Sequence, residues 1–321
     1  MIREVALGHH VARIALLGLL AGCMTEEPPE AADDDDATVA DDDDVTDEPI
    51  EPLFSFVIIA DPHIAGPVEH EERLSVAVDW INANAVDRDL QFALVLGDIG
   101  WGSGLETSRD LLEPLTMPWV PIIGDNVLAS GEDEAFDQTF GPQLEALGDQ
   151  LEAWERAPLP VPDERLQGDA WLQNLRFEHE GVLFVGLDWN IRHLTGNLAE
   201  FGDFNDVPGG SYEWMLDAFE GVQDRPDESV VLLSHVPMVP GVFYVADRET
   251  FAELLSPIAD KVYGNLAGHL HIDHDEEYPE AGYSTHITDA TWDDRNTIRI
   301  VDVFGNATLR SYEHELIVLD E

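Results

Sequence analysis

Five short stretches of the chain carry side chains suited to gripping a metal ion. They are Asp61-Pro62-His63, Gly97-Asp98, Gly124-Asp125-Asn126, Ser234-His235 and Gly268-His269-Leu270-His271. The first, taken alone, reads rather as an edge-of-sheet turn with a satisfied histidine, because lone histidines are seldom ligands. Five together change that balance. Carboxylate oxygens mixed with imidazole nitrogens suit zinc, manganese or iron better than calcium. Three carboxylates (Asp61, Asp98, Asp125) and four histidines (His63, His235, His269, His271) exceed the needs of one ion and match two ions sharing a bridging group.

Such side chains need rigid supports, and each stretch follows one. Residues 54–60 are a continuous apolar run, the pattern of a buried strand. Positions two apart on an extended segment point to the same side, so Asp61 and His63 can hold one ion together. Similar runs at 91–96, 119–123, 229–233 and 262–266 precede the other four stretches. Between them, Leu74, Val78, Ile81 and Ala85 have helical spacing and predict a helix over 68–86. Further helices are expected over 107–115, 133–154 with an interruption at Gly141-Pro142, 214–219 and 249–260. Hairpins are expected over 172–187 and 297–312, and loops over 157–163 and 189–210. Strands alternating with helices define an α/β architecture with parallel strands, in which ligands collect outside the carboxyl ends. No repeat and no internal linker divides residues 53–321, which read as one domain of catalytic size.

The charge is extreme: 15 Lys+Arg against 67 Asp+Glu give −52, and Lys261 is the only lysine. A surface of this sign repels nucleic acid and anionic membrane and attracts divalent cations. A hydrophobic content of 44% still supplies an ample core.

The amino terminus has a different character. Residues 1–22 place Arg3 and Arg13 before an apolar core at 14–20, too short to span a bilayer, which takes about 20 apolar residues. It has the length of a signal peptide. Leu20-Ala21-Gly22-Cys23 resembles a bacterial lipobox, and that resemblance implies cleavage before Cys23 and lipidation of its thiol. Cys23 is the only cysteine, so no intramolecular disulfide competes for it. An ordinary secretory signal with an incidental cysteine is the other reading. Residues 24–52 hold 14 acidic residues and no basic ones, with aspartate tetrads at 33–36 and 41–44. Such a segment cannot offset the entropy of ordering itself, so 23–52 reads as a lipidated cysteine on a disordered acidic tether. The expected location is extracytoplasmic, at the outer membrane or cell surface, with the lipid as the only membrane contact.

The order of the five motifs resembles the calcineurin-like metallophosphoesterase family, whose pattern is Asp-x-His, Gly-Asp, Gly-Asn-His-Asp/Glu, a strand-end His and Gly-His-x-His. The resemblance runs from about residue 54 to the final hairpin and includes Phe140-Gly141-Pro142 and the 184–188 run. It implies a four-layer α-β-β-α sandwich of two mixed sheets. It also implies that Asp61, His63 and His271 hold one divalent ion (Mn, Fe or Zn), that His235, His269 and Asp125 hold another, and that Asp98 bridges them. The implied reaction is hydrolysis of a small phosphate monoester or diester by a metal-bridging hydroxide.

Two positions depart from the pattern. Asp125 stands where the family has a ligating Asn, and its extra charge should hold metal more tightly and attract phosphate less. Asn126 stands where the family has a His thought to protonate the leaving oxygen or orient the phosphate, and an amide is no general acid at ordinary pH. Losing that acid costs on the order of 10²- to 10⁴-fold in rate. His70, His274 and His286 are substitute donors by nearness in sequence, although surface or core roles suit them too. Trp101, Trp189 and Trp292 lie close to the motifs and serve either as pocket walls or as core. The alternative function is a metal-binding surface or scaffold protein with little or no turnover.

Overall fold

The computed structural model describes residues 50–166, 168–193, 200–225, 228–278, 282–293, 295–306 and 310–319. The signal peptide, Cys23 and nearly all of the acidic tether lie outside them. The first half runs β1 (Glu51–Ile59), α1 (Val68–Asn84), β2 (Leu90–Leu96), α2 (Gly104–Leu112), β3 (Trp119–Ile122), α3 (Asp125–Ala129) and α4 (Asp133–Ala146). Next come β4 (Glu152–Arg156), β5 (Val161–Asp163), β6 (Gly168–Ala170), β7 (Leu175–His179), β8 (Val182–Gly186), α5 (Ser211–Ala218) and β9 (Ser229–Leu233). The chain closes with α6 (Val245–Leu255), β10 (Val262–Ala267), β11 (His274–Tyr278), β12 (Tyr283–Ile287), β13 (Thr297–Gly305) and β14 (Arg310–Val318).

The strands form two mixed sheets, one of five in the order β14-β13-β1-β2-β3 and one of seven in the order β11-β12-β10-β9-β8-β7-β4. In the first, β1, β2 and β3 are parallel and the terminal hairpin joins β1 antiparallel. In the second, β8, β9, β10 and β12 are parallel. Parallel strands buried on both faces should be apolar almost throughout, and the two-residue period assigns each side chain to a layer. Val182 and Phe184 of β8, with Val231 and Leu233 of β9, join Phe56 and Phe92 in one core cluster. Leu183, Val185, Val230 and Leu232, their alternates, join Trp214 and Met215 of α5 and Phe251 and Leu255 of α6 in another.

Rings lock the two sheets together. Phe56 and Phe92 stack with centroids 5.1 Å apart, and Phe184 meets both edge-on at 5.5 and 5.2 Å. Leu74, Ala77, Val78 and Ile81 of α1, with Phe136, Phe140 and Leu144 of α4, bury in the first cluster. Helices, sheet, sheet and helices are thus the four layers expected from the motif order.

Some local readings differ. The helix over 133–154 ends at Ala146, and Trp154 belongs to β4. Pro142 sits inside α4 rather than interrupting it. Phe136, Phe140 and Leu144 bury on both sides of the proline, and that burial outweighs a penalty of about 3 kcal/mol. The proline-rich loop contains the β5–β6 hairpin, and the edge hairpin β11–β12 and the one-turn α3 were not foreseen. No helix among the described residues is long and apolar enough to cross a membrane.

Replacing Phe184, fully buried between the sheets, with alanine should lower unfolding free energy by about 3–5 kcal/mol in chemical denaturation. Val86→Ala, at a side chain 91% exposed, should change it by less than about 0.5 kcal/mol.

Candidate metal centre

All five motifs lie just beyond the carboxyl ends of parallel strands. Asp61 and His63 follow β1, Asp98 follows β2, Asp125 follows β3, His235 follows β9, and His269 and His271 follow β10. Within each sheet, backbone bonds tie neighbouring turns together. The His63 amide donates to the Asp98 carbonyl at 2.9 Å, and the Gly268 amide to the His235 carbonyl at 3.2 Å.

Two groups of donors result, Asp61–His63–His271 and Asp125–His235–His269, the atoms of each within 4.8 Å of one another. In the first, His271 Nε2 is 3.3 Å and His63 Nε2 3.7 Å from Asp61 Oδ1. In the second, Asp125 Oδ1 is 2.8 Å from His235 Nε2 and 3.1 Å from His269 Nδ1. Asp98 lies between the groups, with Oδ2 3.3 Å from His63 Nε2 and 3.5 Å from His235 Nε2. Every ligand anticipated from the sequence is therefore in one place.

The backbone is strained to achieve this. Asp61, His63, Asp98, His269 and His271 all have φ between +42° and +71°, a left-handed conformation that costs a non-glycine residue on the order of 1–2 kcal/mol. Each ligand sits where the chain turns sharply off its strand. Glycines supply the clearance: a Cβ on Gly97 would lie 2.2 Å from His235 Nδ1, one on Gly124 2.1 Å from Asp98 Oδ1, and one on Gly268 2.4 Å from Asp61 Oδ2. The glycine of each motif is thus a packing requirement of a ligand from another motif.

Burial alone would raise the Asp61 and Asp98 carboxyls, but the charge of His235, with that of His271 on Asp61 and of His63 on Asp98, overcomes it and holds both below the usual range. Burial and the Asp98 charge push Asp125 up, while bonds from His235 and His269 bring it below normal. The counterpart is His63, which burial alone would lower. Asp61 and Asp98 instead raise it to about 9, and His235 is likewise raised. These protons stand where a cation belongs. Asp61 Oδ1 and His63 Nε2 are buried with no hydrogen-bond partner, the state of ligand atoms facing an ion. His235 Nδ1 donates to the Leu96 carbonyl at 3.0 Å, which leaves Nε2 free to coordinate. The residues fit divalent transition metals, and Asp61, His63, Asp98, Asp125, His235, His269 and His271 would hold them.

Asn126 is the second residue of α3, with its amide N–H donating to Asp98 Oδ1 at 3.0 Å and its side-chain amide to Asp98 Oδ2. It fixes the central carboxylate. Trp101 and Trp292 flank His63 at 5.4 and 5.3 Å between ring centroids, and Trp292 also meets His271 at 5.4 Å. Trp189 is core, and its indole donates to the Val236 carbonyl. Of the substitute donors, His70 alone adjoins the centre, bonded through Nδ1 to the His63 carbonyl at 2.9 Å. His274 is on β11, and His286 bonds Asp275 at 2.9 Å. Asp275, His286 and His314 are a further group of donors, but the buried guanidinium of Arg299 already binds Asp275 at 3.1 Å and His314 Nδ1 at 2.8 Å.

The sequence reading missed Asn190 and Arg192. The Asn190 amide donates to Asp188 Oδ1 at 3.0 Å and to the Ile123 carbonyl at 3.3 Å, beside the Gly124-Asp125 turn. Arg192, buried, binds Asp188 at 2.6 Å. Both lie in a stretch without periodicity, and a lone arginine after a strand-end aspartate was the one signal available.

A cleft of about 400 Å³ opens on the centre, lined by Asp98, Asp125, Asn126, His269 and His271 on the ligand side. Glu200, Phe201, Gly241, Val242 and Leu270 form the rest, and among the described residues no lysine or arginine lines it. Close to Phe201, Asp203 and Asp247 are both raised, by burial first and then by nearby carboxylate charge, Asp247 to about 6.

The chain belongs to the calcineurin-like phosphoesterase family, which matches it over residues 54–273. No curated protein matches it. Among solved structures it is similar to the cold-active protein-tyrosine phosphatase of a psychrophile, Shewanella sp., at 12% identity over 81% of this chain and 80% of that one, with a TM-score of 0.31. It is also similar to a Vps29 double mutant from Entamoeba histolytica (12%, 82% and 99%, 0.27) and to Chaetomium thermophilum Vps29 (9%, 83% and 96%, 0.24).

A cation must displace the proton on His63, so apparent metal affinity should rise with pH up to about 9. The metal-free protein should do the reverse. Because folding raises the His63 pKa, its protonated contacts stabilise the fold fully below about 6.5 and are lost as pH rises through about 9. Calorimetric metal titrations and melting curves in chelator across pH 6–10 measure both trends.

Proposed function

We propose that the chain is a two-metal phosphoesterase that hydrolyses a small phosphate monoester or diester outside the cytoplasm, tethered by lipid on Cys23. The observation that carries this reading is Asp98, whose carboxylate stands between two Asp/His donor groups. Two divalent ions held there supply an acidified water and neutralise charge on the phosphoryl oxygens.

The chain's own residues account for the rest. Asn126 and the backbone of α3 hold Asp98 in one orientation. The Leu96 carbonyl keeps His235 in a single tautomer. Trp101 and Trp292 cover the His63 side, so the cleft beside His269 is the open approach for an ester. The water oxygen bonds to phosphorus, the bond from phosphorus to the alcohol oxygen breaks, and one proton passes to the departing alcohol. With the Asn126 amide committed to Asp98, that proton comes from solvent. The same commitment favours a second reading, a surface protein that binds metal with little turnover.

The full chain, solubilised and supplied with manganese, should hydrolyse a chromogenic phosphodiester or the matching monoester. Asp98→Asn should reduce the rate at least about 10²-fold, the scale of losing a central electrostatic group. Absence of metal-dependent turnover on both esters would leave only the scaffold reading. Anchoring is tested separately: an alkynyl fatty acid fed to expressing bacteria should label the chain, and Cys23→Ser should abolish the label. Unchanged labelling would remove the lipoprotein proposal.

A further inference from the structure

Two unrelated features of the cleft make the same demand on a substrate. The first is charge. Among the described residues, the lining holds Asp98, Asp125 and Glu200 and no lysine or arginine. Two divalent ions would carry four positive charges, and Asp61, Asp98, Asp125 and the attacking hydroxide oppose them with four. No positive charge remains, where an asparagine at position 125 would leave one. A phosphodiester, with one negative charge, is therefore opposed less than a phosphomonoester dianion, which meets Glu200 as well.

The second feature is the missing acid. Asn126 cannot donate a proton to a leaving alkoxide, and its amide is already bonded to Asp98. Without a proton donor, the rate depends on how readily the alcohol leaves as an anion. A positive charge on the carbon next to the carbinol withdraws electron density, stabilises the alkoxide and so supplies by induction what the enzyme lacks.

The outer wall has the chemistry to receive that positive charge. Glu200 is exposed at the cleft, and Phe201 lines it. Tyr244, 46% exposed, stacks on Phe201 with centroids 6.1 Å apart and planes 21° from parallel. Aromatic faces beside a carboxylate are the usual receptor for a quaternary ammonium group.

Building on the phosphoesterase reading, we propose that the substrate is a phosphodiester whose leaving alcohol carries a quaternary ammonium group. The phosphodiester binds at the metal ligands, and the ammonium group lies against Glu200 and Phe201, with Tyr244 stacked on Phe201. Hydrolysis consumes one water. Its oxygen ends on phosphorus as a monoester, the P–O bond to the amino alcohol breaks, the water's released proton goes to solvent, and the alkoxide takes one back.

The test compares methyl phosphocholine with its neutral isostere, methyl 3,3-dimethylbutyl phosphate, and with the monoester phosphocholine, on the full chain with manganese. The expected kcat/KM is about tenfold or more higher for the cationic diester than for either comparator, the scale of one partly desolvated cation–aromatic contact. Glu200→Gln should shrink the preference over the neutral isostere several-fold, and Glu200→Asp should restore part of it. Phosphatidylcholine vesicles as a further arm separate a lipid head group from a soluble diester, and turnover of either supports the shared chemistry.

A readout independent of turnover is saturation-transfer NMR of tetramethylammonium with the metal-free chain. Binding should be present, weaker in Glu200→Gln, and absent for the neutral probe 3,3-dimethylbutanol. Hydrolysis with the neutral diester or the monoester preferred overturns this inference and leaves the phosphoesterase reading standing. No hydrolysis of any ester overturns that reading, and tetramethylammonium failing to bind overturns the ammonium subsite in either case.

Discussion

Three carboxylates buried within a few ångströms of one another are the constraint on which this structure turns. Asp61, Asp98 and Asp125 are each at most 3% exposed, and no protein interior tolerates such a cluster of charge without compensation. The histidines provide it in part, and the orphaned atoms of Asp61 and His63 mark where the remainder must come from a cation. The left-handed ligand turns follow from the same demand. Strain at five residues is tolerable only because the strands behind them are fixed by two apolar cores.

Much of this was legible in the sequence because the two relevant patterns are short-range. An apolar run ending in Asp or His is visible within ten residues, and all five such runs proved to be parallel strands whose ends converge. The helix α1 was readable for a related reason, since its buried Leu74, Val78 and Ile81 keep the spacing of one face. What escaped depends on partners far along the chain. Pro142 reads as a breaker until the burial of Phe136 and Phe140 is known. Asn190 reads as loop until its amide is found on the carbonyl before Gly124. Trp292 and Trp189 look alike in sequence, yet one flanks two ligands and the other lies in the core behind β8 and β9.

Asn126 shows how a single departure can shift a residue's work without moving it. The position lies in the first turn of α3 beside the central carboxylate. An amide there donates to Asp98 and holds it still, whereas a side chain that titrates near neutrality can lend a proton to a departing group. The same backbone therefore serves orientation in this chain.

The division of the ligands between the sheets has one more consequence. Every carboxylate follows a strand of the five-stranded sheet, and every histidine except His63 follows a strand of the seven-stranded one. Each sheet therefore presents only a half-site, one mostly anionic and the other wholly imidazole. Neither half is a competent receptor until the aromatic layer has docked. A cation shared by Asp61 and His271, or by Asp125 and His235, would therefore join the two sheets at that edge.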